Sequence, residues 1–315
     1  MEPLKFVPTY VHPIWGGNAI AQARHLPADA EHTYGEAFDV SNHPDVCVTI
    51  ANGPLAGMRL DDAIAERHDE LLGALPEHDV VQVTFMDARE MLSVQVHPNE
   101  EQAQRLDGDH EKTESWYILH AEPGATLIGG STTTDLDALR VAAADDTIGE
   151  RYGKRIEVQE GDFVFVPAGT MHALGAGIFA VEVGSFGNRT YRMCDWGRGR
   201  ELHVEKAFEV LNPASTATVR HLGRYDACDR TRTQEGVRCG LFVSNVVDMA
   251  GQYEAELHGA YHLITCVDGT CAVETSAGSV TLGCTESALV PACAERYTVR
   301  GTCRVLQSYR PATEN

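Results

Sequence analysis

The stretch GDFVFVPAGTMH, at residues 161–172, is the most informative part of this sequence. Its aromatic and β-branched run predicts a β-strand, and Pro167 and Gly169 predict a tight turn directly after that strand. His172 follows the turn, where we expect the next strand to begin. A histidine held in this frame of glycine and proline is a candidate metal ligand, with an ordinary polar histidine as the alternative.

Short runs of β-branched and aromatic residues recur along the whole chain, separated by glycine or proline. Strands this frequent, with turn signals between them, are typical of β-sandwiches and barrels, so we expect a mainly β protein. The predicted strands lie within residues 80–87, 90–98, 115–121, 156–169, 177–186, 240–249, 261–275, 287–292 and 303–310. Segments with a helical hydrophobic period predict short helices at residues 61–73, 99–106, 134–144 and 203–212.

One short internal similarity indicates that the two halves of the chain are related. Residues 166–177 (VPAGTMHALGAG) and 290–301 (VPACAERYTVRG) share Val-Pro-Ala and a glycine at a matched offset, which places Arg296 opposite His172. We therefore expect a second β-barrel without metal ligands. The expected units are a catalytic domain with helical insertions at residues 1–211, a polar linker region at 212–238 and the second barrel at 239–315.

The charge composition limits the classes of molecule that this protein is expected to bind. The chain has 25 Lys and Arg residues against 46 Asp and Glu residues, for a net charge of −21. This charge disfavours nucleic acids and anionic membranes, but it does not exclude an anionic small substrate, because salt screens distant surface charges. No apolar run reaches the roughly 18 residues of a membrane span, and the start of the chain lacks a secretory pattern, so we expect a cytoplasmic protein.

The nine cysteines are scattered singly, and no two of them form a C-x-x-C pair. An odd number without close spacing argues against a disulfide framework and against a thiolate zinc site. We therefore expect the cysteines to be small buried residues of the core.

Two further segments supply the residue types of a metal site. In a strand over residues 90–98, alternation places Gln95 and His97 on a polar face, opposite leucine and valine. In a later segment, Lys112 and Glu114 share one face in the same way. Both polar faces are therefore candidates to line one inner cavity.

The candidate metal ligands are Gln95, His97, Glu114 and His172. Together they would give a metal one amide oxygen, one carboxylate and two neutral imidazoles. Zinc accepts this set and keeps a residual positive charge, so it can act as a Lewis acid. Iron or manganese could also bind, because two histidines and a carboxylate form the non-haem iron triad. Gln95 has an alternative role as a hydrogen-bond partner of a ligand.

At these residues the chain resembles the cupin superfamily and, within it, the short bacterial form of type I phosphomannose isomerase (mannose-6-phosphate isomerase). The similarity covers most of the chain. The matching segments are, in order, IWGG (14–17), GEAFDVS (35–41), NGPLAG (52–57), LSVQVHP (92–98), KTESWYI (112–118), PAGTMHAL (167–174) and TYRMCDWGR (190–198). Several ordered matches are far more specific than any one of them.

The resemblance implies a bicupin fold, with two jelly-roll-like β-barrels and a few short helices. It implies the interconversion of mannose 6-phosphate and fructose 6-phosphate, with one zinc ion per chain on the four candidate ligands. The family's active-site lysine and arginine fall on Lys112 and Arg192, and an acidic residue discussed as a proton-transfer group falls on Asp195. The candidate substrate-binding residues are Trp15, Lys112, Arg192 and Arg198.

An aldose–ketose isomerase must stabilise negative charge on O1 and O2 of an enediol and carry a proton between C1 and C2. Asp195 and a metal-bound water are the candidate proton carriers, and the sequence does not rank them. Asp195 has the structural alternative of capping the turn at residues 196–198. A buried Lys112 near a metal cation and Arg192 is expected to have a lowered pKa.

Three departures from the family pattern bear on substrate preference more than on chemistry. Cys194 stands where an aromatic residue is usual, Phe38 replaces a tryptophan, and no asparagine follows His172 closely.

Two other functions stay open: a non-haem iron dioxygenase on the same scaffold, which would not need Lys112 beside Glu114, and a non-catalytic sugar-phosphate-binding paralogue. The sequence does not predict the oligomeric state.

Overall fold

The computed structural model describes residues 1–27, 33–226 and 230–311. These residues form a mainly β protein, as predicted, with twenty strands and six short α-helices. The strands are β1 (Leu4–Val7), β2 (Thr9–Val11), β3 (Glu36–Val40), β4 (Thr49–Ile50), β5 (Gln82–Ala88), β6 (Val94–Val96), β7 (Glu114–Ala121), β8 (Thr126–Ser131), β9 (Gly153–Glu157), β10 (Asp162–Val166), β11 (His172–Ala173), β12 (Ile178–Gly184), β13 (Tyr191–Cys194), β14 (Thr218–His221), β15 (Arg232–Arg238), β16 (Val243–Glu256), β17 (His262–Thr275), β18 (Gly278–Gly283), β19 (Glu286–Val290) and β20 (Arg296–Tyr309). The helices are α1 (Ala19–Arg24), α2 (Leu60–Leu71), α3 (Glu100–Asp107), α4 (Leu136–Ala144), α5 (Ile148–Tyr152) and α6 (Val204–Val210).

The strands form three antiparallel sheets, which we name by size as the eight-, seven- and five-stranded sheets. Their strand orders are β15-β16-β20-β17-β19-β1-β4 with β18 paired to β17, then β14-β10-β7-β12-β5-β3-β2, and β13-β6-β11-β8-β9. None of them closes into a barrel over the described residues. The predicted jelly-roll-like architecture is therefore present as packed open sheets.

The seven-stranded sheet is the middle layer, and each of its faces contributes side chains to a hydrophobic core. Along β7, Trp116 and Ile118 contribute to the core shared with the five-stranded sheet, whereas Tyr117 contributes to the core shared with the eight-stranded sheet. Phe163 and Val164 on β10 divide between the two cores in the same way. Because successive side chains of a strand point to opposite faces, each of these strands supplies both cores.

Segments from one predicted domain pair with strands of the other, and the predicted linker also contributes strands to the sheets. Near the N-terminus, β1 pairs with β19 and with β4, so this segment extends the eight-stranded sheet. The segment predicted as a linker, 212–238, carries two strands, of which β14 pairs with β10 and β15 pairs with β16. Its residues 227–229 lie outside the described part of the chain. The division into domains at 211 and 239 stays a prediction.

The four predicted helices are present, as α2, α3, α4 and α6. At the start of α3, the Asn99 side chain accepts a hydrogen bond from the Gln102 backbone N–H, and the Gln102 side chain accepts one from the Asn99 N–H, which forms a reciprocal cap. Two helices were not predicted, α1 and α5, because each is only a turn or two long and has no clear hydrophobic period. No helix in the described residues is long and apolar enough to cross a membrane.

The cysteines follow the prediction in part. Five of them are buried in the core: Cys47, Cys194, Cys266, Cys271 and Cys303. All eight cysteines in the described residues are free thiols. Cys239 is half-buried, and Cys284 and Cys293 are exposed in the turn between β18 and β19 and in the 3-10 segment between β19 and β20, so the prediction of a buried position is wrong for the two exposed residues. Cys228 lies outside the described residues.

Candidate metal centre and active site

The predicted turn is present between β10 and β11, and it leads directly into His172. Gly169 has a left-handed backbone with φ 80°, which an L-residue rarely adopts, and its N–H donates to the His97 carbonyl at 2.8 Å. The N–H of Thr170 donates to the Pro167 carbonyl and closes the turn. His172 then starts β11, where it pairs with Gln95 of β6. The turn thus places two candidate ligands on neighbouring strands.

Three potential metal ligands converge between the seven- and five-stranded sheets. Glu114 begins β7, His172 begins β11 and His97 directly follows β6. The Nε2 atoms of His97 and His172 lie 3.4 and 3.2 Å from the two carboxylate oxygens of Glu114. Each of the three residues is only 1% exposed. Within the described part of the chain, no other trio of His, Cys, Asp or Glu residues comes this close together.

The hydrogen bonds around this cluster fit a bound cation. Nδ1–H of His97 donates to the Arg189 carbonyl, and Nδ1–H of His172 donates to the Thr170 carbonyl, both at 2.8 Å. These bonds fix the tautomers, so both Nε2 lone pairs face the carboxylate of Glu114. His97 Nε2 and both Glu114 oxygens are buried without a hydrogen bond. A divalent cation would satisfy all of these acceptors, so the residues present fit a metal ion.

The ionisation of the cluster supports the same conclusion. Burial, followed by the charge of Lys112, lowers the pKa of His97 to about 4, so its imidazole is neutral. Burial alone would raise the pKa of Glu114, but Lys112, His172 and His97 together hold it well below its usual range. A neutral imidazole and an ionised carboxylate are the forms that bind a metal.

Gln95 lies beside the cluster rather than apart from it. It is the cross-strand neighbour of both His172 and Arg192. Its side-chain amide lies 3.4 Å from His172 Nε2, and Ser93 Oγ donates to its Oε1 at 3.4 Å. Rotating the amide by half a turn would present oxygen to the cluster. Both predicted roles, metal ligand and hydrogen-bond partner of a ligand, stay predictions.

A cavity of about 340 Å³ opens beside the cluster. Trp15, Gln95, Lys112 and Arg192, all predicted site residues, line this cavity. Its other charged lining residues are Glu36, Glu182 and Arg200. The cavity is therefore a polar chamber beside the potential metal centre, and its wall carries both cations and carboxylates.

Lys112 is held between two carboxylates at the inner end of this cavity. Its Nζ lies 3.4 Å from Glu114 Oε2 and 3.3 Å from Glu182 Oε1. Burial lowers the pKa of Lys112, but Glu182, Glu114 and Glu36 raise it by more, so the pKa lies above its ordinary value. The predicted lowering is wrong for this reason: the sequence did not show that Glu36 and Glu182 also face this lysine.

Comparison with known proteins agrees with this geometry. Residues 4–124 match the family model for phosphomannose isomerase type I, catalytic domain, and residues 234–310 match that for the mannose-6-phosphate isomerase cupin domain. Mannose-6-phosphate isomerase ManA of Bacillus subtilis is 32% identical over 277 residues, covering 85% of this chain and 86% of that protein. This chain belongs to the type I phosphomannose isomerase family.

Solved structures show the same relationship. The crystal structure of mannose 6-phosphate isomerase from Bacillus subtilis has a TM-score of 0.87 at 26% identity, covering 98% of this chain and 100% of that one. A zinc-bound mannose 6-phosphate isomerase has a TM-score of 0.76 at 14% identity, over 98% of this chain and 100% of that one, which shows a shared fold. The bicupin fold expected from the resemblance is therefore confirmed for this family member.

Arg192, the candidate active-site arginine, lies at the cavity wall. It lies on β13 opposite Gln95 and lines the cavity. One terminal nitrogen donates to the Glu201 carbonyl at 2.8 Å, while its Nε is buried without a partner. Burial and then the nearby charge of Arg200 lower its pKa. Arg192 is thus a cation with unused donors at the cavity wall.

Asp195 and Arg198 are not among the residues that line the cavity. Asp195 is 1% exposed, and its carboxylate accepts three hydrogen bonds from Arg200, at 2.9, 2.9 and 2.6 Å. Arg198 donates to the carbonyls of Asp195 and Met91. The turn at 196–198 closes through the Asp195 carbonyl, while its carboxylate caps the Arg200 N–H instead. The predicted roles of Asp195 and Arg198 in proton transfer and substrate binding stay predictions.

The sequence analysis missed three charged residues of the cavity. Glu182 lies on β12 and is 7% exposed; burial and then Glu114 raise its pKa to about 8. A charged residue inside the apolar strand IFAVEVG was the available signal for it. Glu36 lies in the segment GEAFDVS, whose sequence does not indicate that this glutamate faces the cavity. For Arg200 there was no local signal, because it lies in an irregular loop beyond the recognised motif.

Proposed function

We propose that this chain is a metal-dependent aldose–ketose isomerase that interconverts mannose 6-phosphate and fructose 6-phosphate. The observation that carries this proposal is the buried cluster of His97, Glu114 and His172 beside a cavity lined by Lys112 and Arg192. Membership in the type I phosphomannose isomerase family supplies the substrate and the reaction. The cavity, at about 340 Å³, has the size of a small-molecule site.

We propose one zinc ion per chain, held by His97, Glu114, His172 and Gln95. Two neutral imidazoles, a carboxylate and an amide oxygen suit zinc, and a mannose 6-phosphate isomerase of the same fold has been solved with bound zinc. When bound, zinc would act as a Lewis acid toward negative charge that develops on O1 and O2 of the substrate. The donor atoms without hydrogen bonds in this cluster support a bound metal.

The chain's own residues then handle the charge and the protons. The isomerisation moves one proton between C2 and C1 and one between O2 and O1 of the sugar. Lys112 lies at the metal end of the cavity, where its ammonium group would hydrogen-bond and stabilise the enediolate oxygens. This role needs a protonated lysine, and its raised pKa keeps it protonated near neutral pH.

Glu182 is the best-placed group to carry the proton between carbons. It lines the cavity 3.3 Å from Lys112, and its pKa of about 8 lies near the operating range that favours general acid–base catalysis. Asp195 lacks both properties, because it lies outside the cavity lining and Arg200 outweighs burial to lower its pKa. We therefore prefer Glu182 to Asp195 as the proton carrier.

We further propose that the enzyme acts in the cytoplasm, in carbohydrate metabolism, because sugar phosphates are charged metabolites that do not cross lipid bilayers unaided. The net charge of −21 disfavours nucleic acids as partners. No observation favours the dioxygenase over the isomerase, since the cations Lys112, Arg192 and Arg200 suit a phosphorylated substrate.

The test is a coupled assay of the purified protein with mannose 6-phosphate, combined with elemental analysis before and after chelation. We expect turnover that disappears with zinc removal and returns on zinc addition. Stoichiometric zinc without turnover would identify a non-catalytic binding protein or another phosphosugar as substrate. Bound iron without isomerisation would identify the dioxygenase instead.

A further inference from the structure

A second arginine lies beside Arg192 in the cavity. Arg200 follows β13 through a loop with three positive-φ residues, Trp196, Gly197 and Gly199, and it lines the same cavity as Arg192. Burial and then the charge of Arg200 lower the pKa of Arg192. Two cations in one partly buried chamber repel each other, and an anion between them would relieve this repulsion.

Asp195 fixes the position of Arg200. Its Oδ1 accepts hydrogen bonds from Arg200 Nε at 2.9 Å and Nη2 at 2.6 Å, and its Oδ2 accepts from the Arg200 backbone N–H at 2.9 Å. The side chain of Asp195 is 1% exposed, whereas that of Arg200 is 28% exposed. One edge of the guanidinium is therefore buried against Asp195. Among the described residues, Nη1 of Arg200 has no hydrogen-bond partner.

The loop that carries this pair is itself anchored. The Asp146 carboxylate accepts hydrogen bonds from the N–H groups of Asp195 and Gly197, each at 2.5 Å. The indole Nε1–H of Trp196 donates to the Leu92 carbonyl at 2.7 Å. Contacts on both sides of the loop thus hold Asp195 in place, so Arg200 is preorganised rather than mobile.

The other basic side chains nearby are less available to bind an anion in the cavity. Lys112 lies between the carboxylates of Glu114 and Glu182. Arg198 donates to two backbone carbonyls and does not line the cavity. Arg192 and Arg200 are therefore the cations of the cavity wall that keep donors for a ligand.

We propose that Arg200, together with Arg192, binds the phosphate group of the substrate, and that Asp195 is a positioning residue that aims Arg200 into the cavity. The identity of the anion as a sugar phosphate rests on the proposed function, whereas the anion site rests on the geometry of this loop. The Nε and Nη2 edge of the Arg200 guanidinium is bound to the Asp195 carboxylate, so Nη1 is held in one orientation. A donor held in this way suits a phosphate oxygen. Asp195 acts through Arg200 and does not itself exchange protons with the sugar.

The test uses the full-length, zinc-loaded enzyme and the variants Arg200→Ala, Arg200→Lys and Asp195→Asn. Arg105→Gln is the matched control, because Arg105 is an exposed arginine that is also paired with a carboxylate, that of Glu209. For each protein we would measure kcat and KM for mannose 6-phosphate, the competitive inhibition constant of inorganic phosphate, and the metal content. Calorimetric titration with inorganic phosphate measures binding without turnover.

We expect Arg200→Ala to raise KM and the phosphate inhibition constant about 10- to 100-fold, with metal content unchanged and kcat altered much less. Arg200→Lys should recover part of this loss. Asp195→Asn should raise the same two constants by a smaller factor. If Asp195 carried the proton, Asp195→Asn would instead lower kcat by about 10²- to 10⁴-fold with KM nearly constant, and that outcome overturns the proposal.

The proposal would also be overturned if the inhibition constants of inorganic phosphate for Arg200→Ala and Arg200→Lys lay within twofold of the wild-type value. A wild-type protein that does not bind inorganic phosphate would overturn it as well. The failure of the proposed function is separate, because it appears as wild-type protein that binds phosphate but does not turn over mannose 6-phosphate. If Arg200→Ala loses its metal or unfolds, Arg200→Lys and Asp195→Asn decide the matter.

Discussion

His97 and His172 illustrate how single residues are prepared for a metal. Each imidazole donates one ring N–H to a backbone carbonyl, which leaves the other nitrogen as an acceptor that faces Glu114. The sequence predicted both residues as candidate ligands from strand alternation and motif resemblance. It did not predict the two carbonyls, because Arg189 and Thr170 have no sequence pattern that marks them as partners of a ligand.

At this scale we predict different outcomes for two substitutions. His172→Ala should remove both bound metal and turnover, because it deletes a ligand. Lys112→Ala should retain the metal but lose about 10²- to 10⁴-fold in kcat, because it removes only the charge beside the reacting oxygens. Elemental analysis and the coupled assay measure the two effects. His120→Ala is the control, because His120 is an exposed histidine; near-wild-type activity of Lys112→Ala would contradict our assignment of the active site.

Among the elements, the turn between β10 and β11 has the most direct connection to function. Gly169 adopts φ 80°, and its N–H contacts the carbonyl of His97, so one turn positions both histidines. The sequence predicted this turn well, because glycine and proline are the residues that such backbone geometry requires. The loop after β13 was predicted poorly, because its shape depends on Asp146 and Leu92, which are distant in sequence.

The turn gives a prediction with a close control. Gly169→Ala should cost about 1–2 kcal/mol of folding free energy, because alanine is strained at positive φ, and should weaken metal affinity about tenfold by displacing the histidines. Gly124→Ala places the same strain at φ 79° in a turn with open space around it, beyond the end of β7 that is opposite to Glu114. Thermal unfolding and metal titration of both variants should show similar stability losses. Equal metal affinity in the two variants would rule out a special role for Gly169.

At the scale of the whole molecule, a fully buried ion pair lies where the eight-stranded sheet packs against the middle sheet. Arg304 on β20 and Asp248 on β16 are both 0% exposed and 2.5 Å apart. Arg304 also donates to the Tyr117 hydroxyl on β7 and to the Gly223 carbonyl, so it links the eight-stranded sheet to the seven-stranded sheet. A charge buried this deeply is stable only with all of its partners in place.

We therefore predict that Arg304→Met destabilises the protein by about 3–5 kcal/mol, because Asp248 loses its buried partner. Chemical denaturation followed by fluorescence would measure the change. Arg300→Met removes an exposed arginine from its pair with Glu274 and should cost less than about 1 kcal/mol. A loss of similar size in both variants would show that the buried pair contributes no more than a surface pair.

The sequence by itself determined the mainly β class, the four larger helices, the turn that carries His172 and the residue types of the metal cluster. These features depend on local rules, namely strand alternation, turn chemistry and motif spacing, which operate over a few residues. Only the tertiary structure decided that β1 joins the eight-stranded sheet and that Asp195 binds Arg200 outside the cavity lining. It also decided that Glu36 and Glu182 surround Lys112 and reverse its expected pKa shift. Such outcomes depend on which distant strands and loops pack together, and the burial and charge that result are properties of that packing rather than of any one segment.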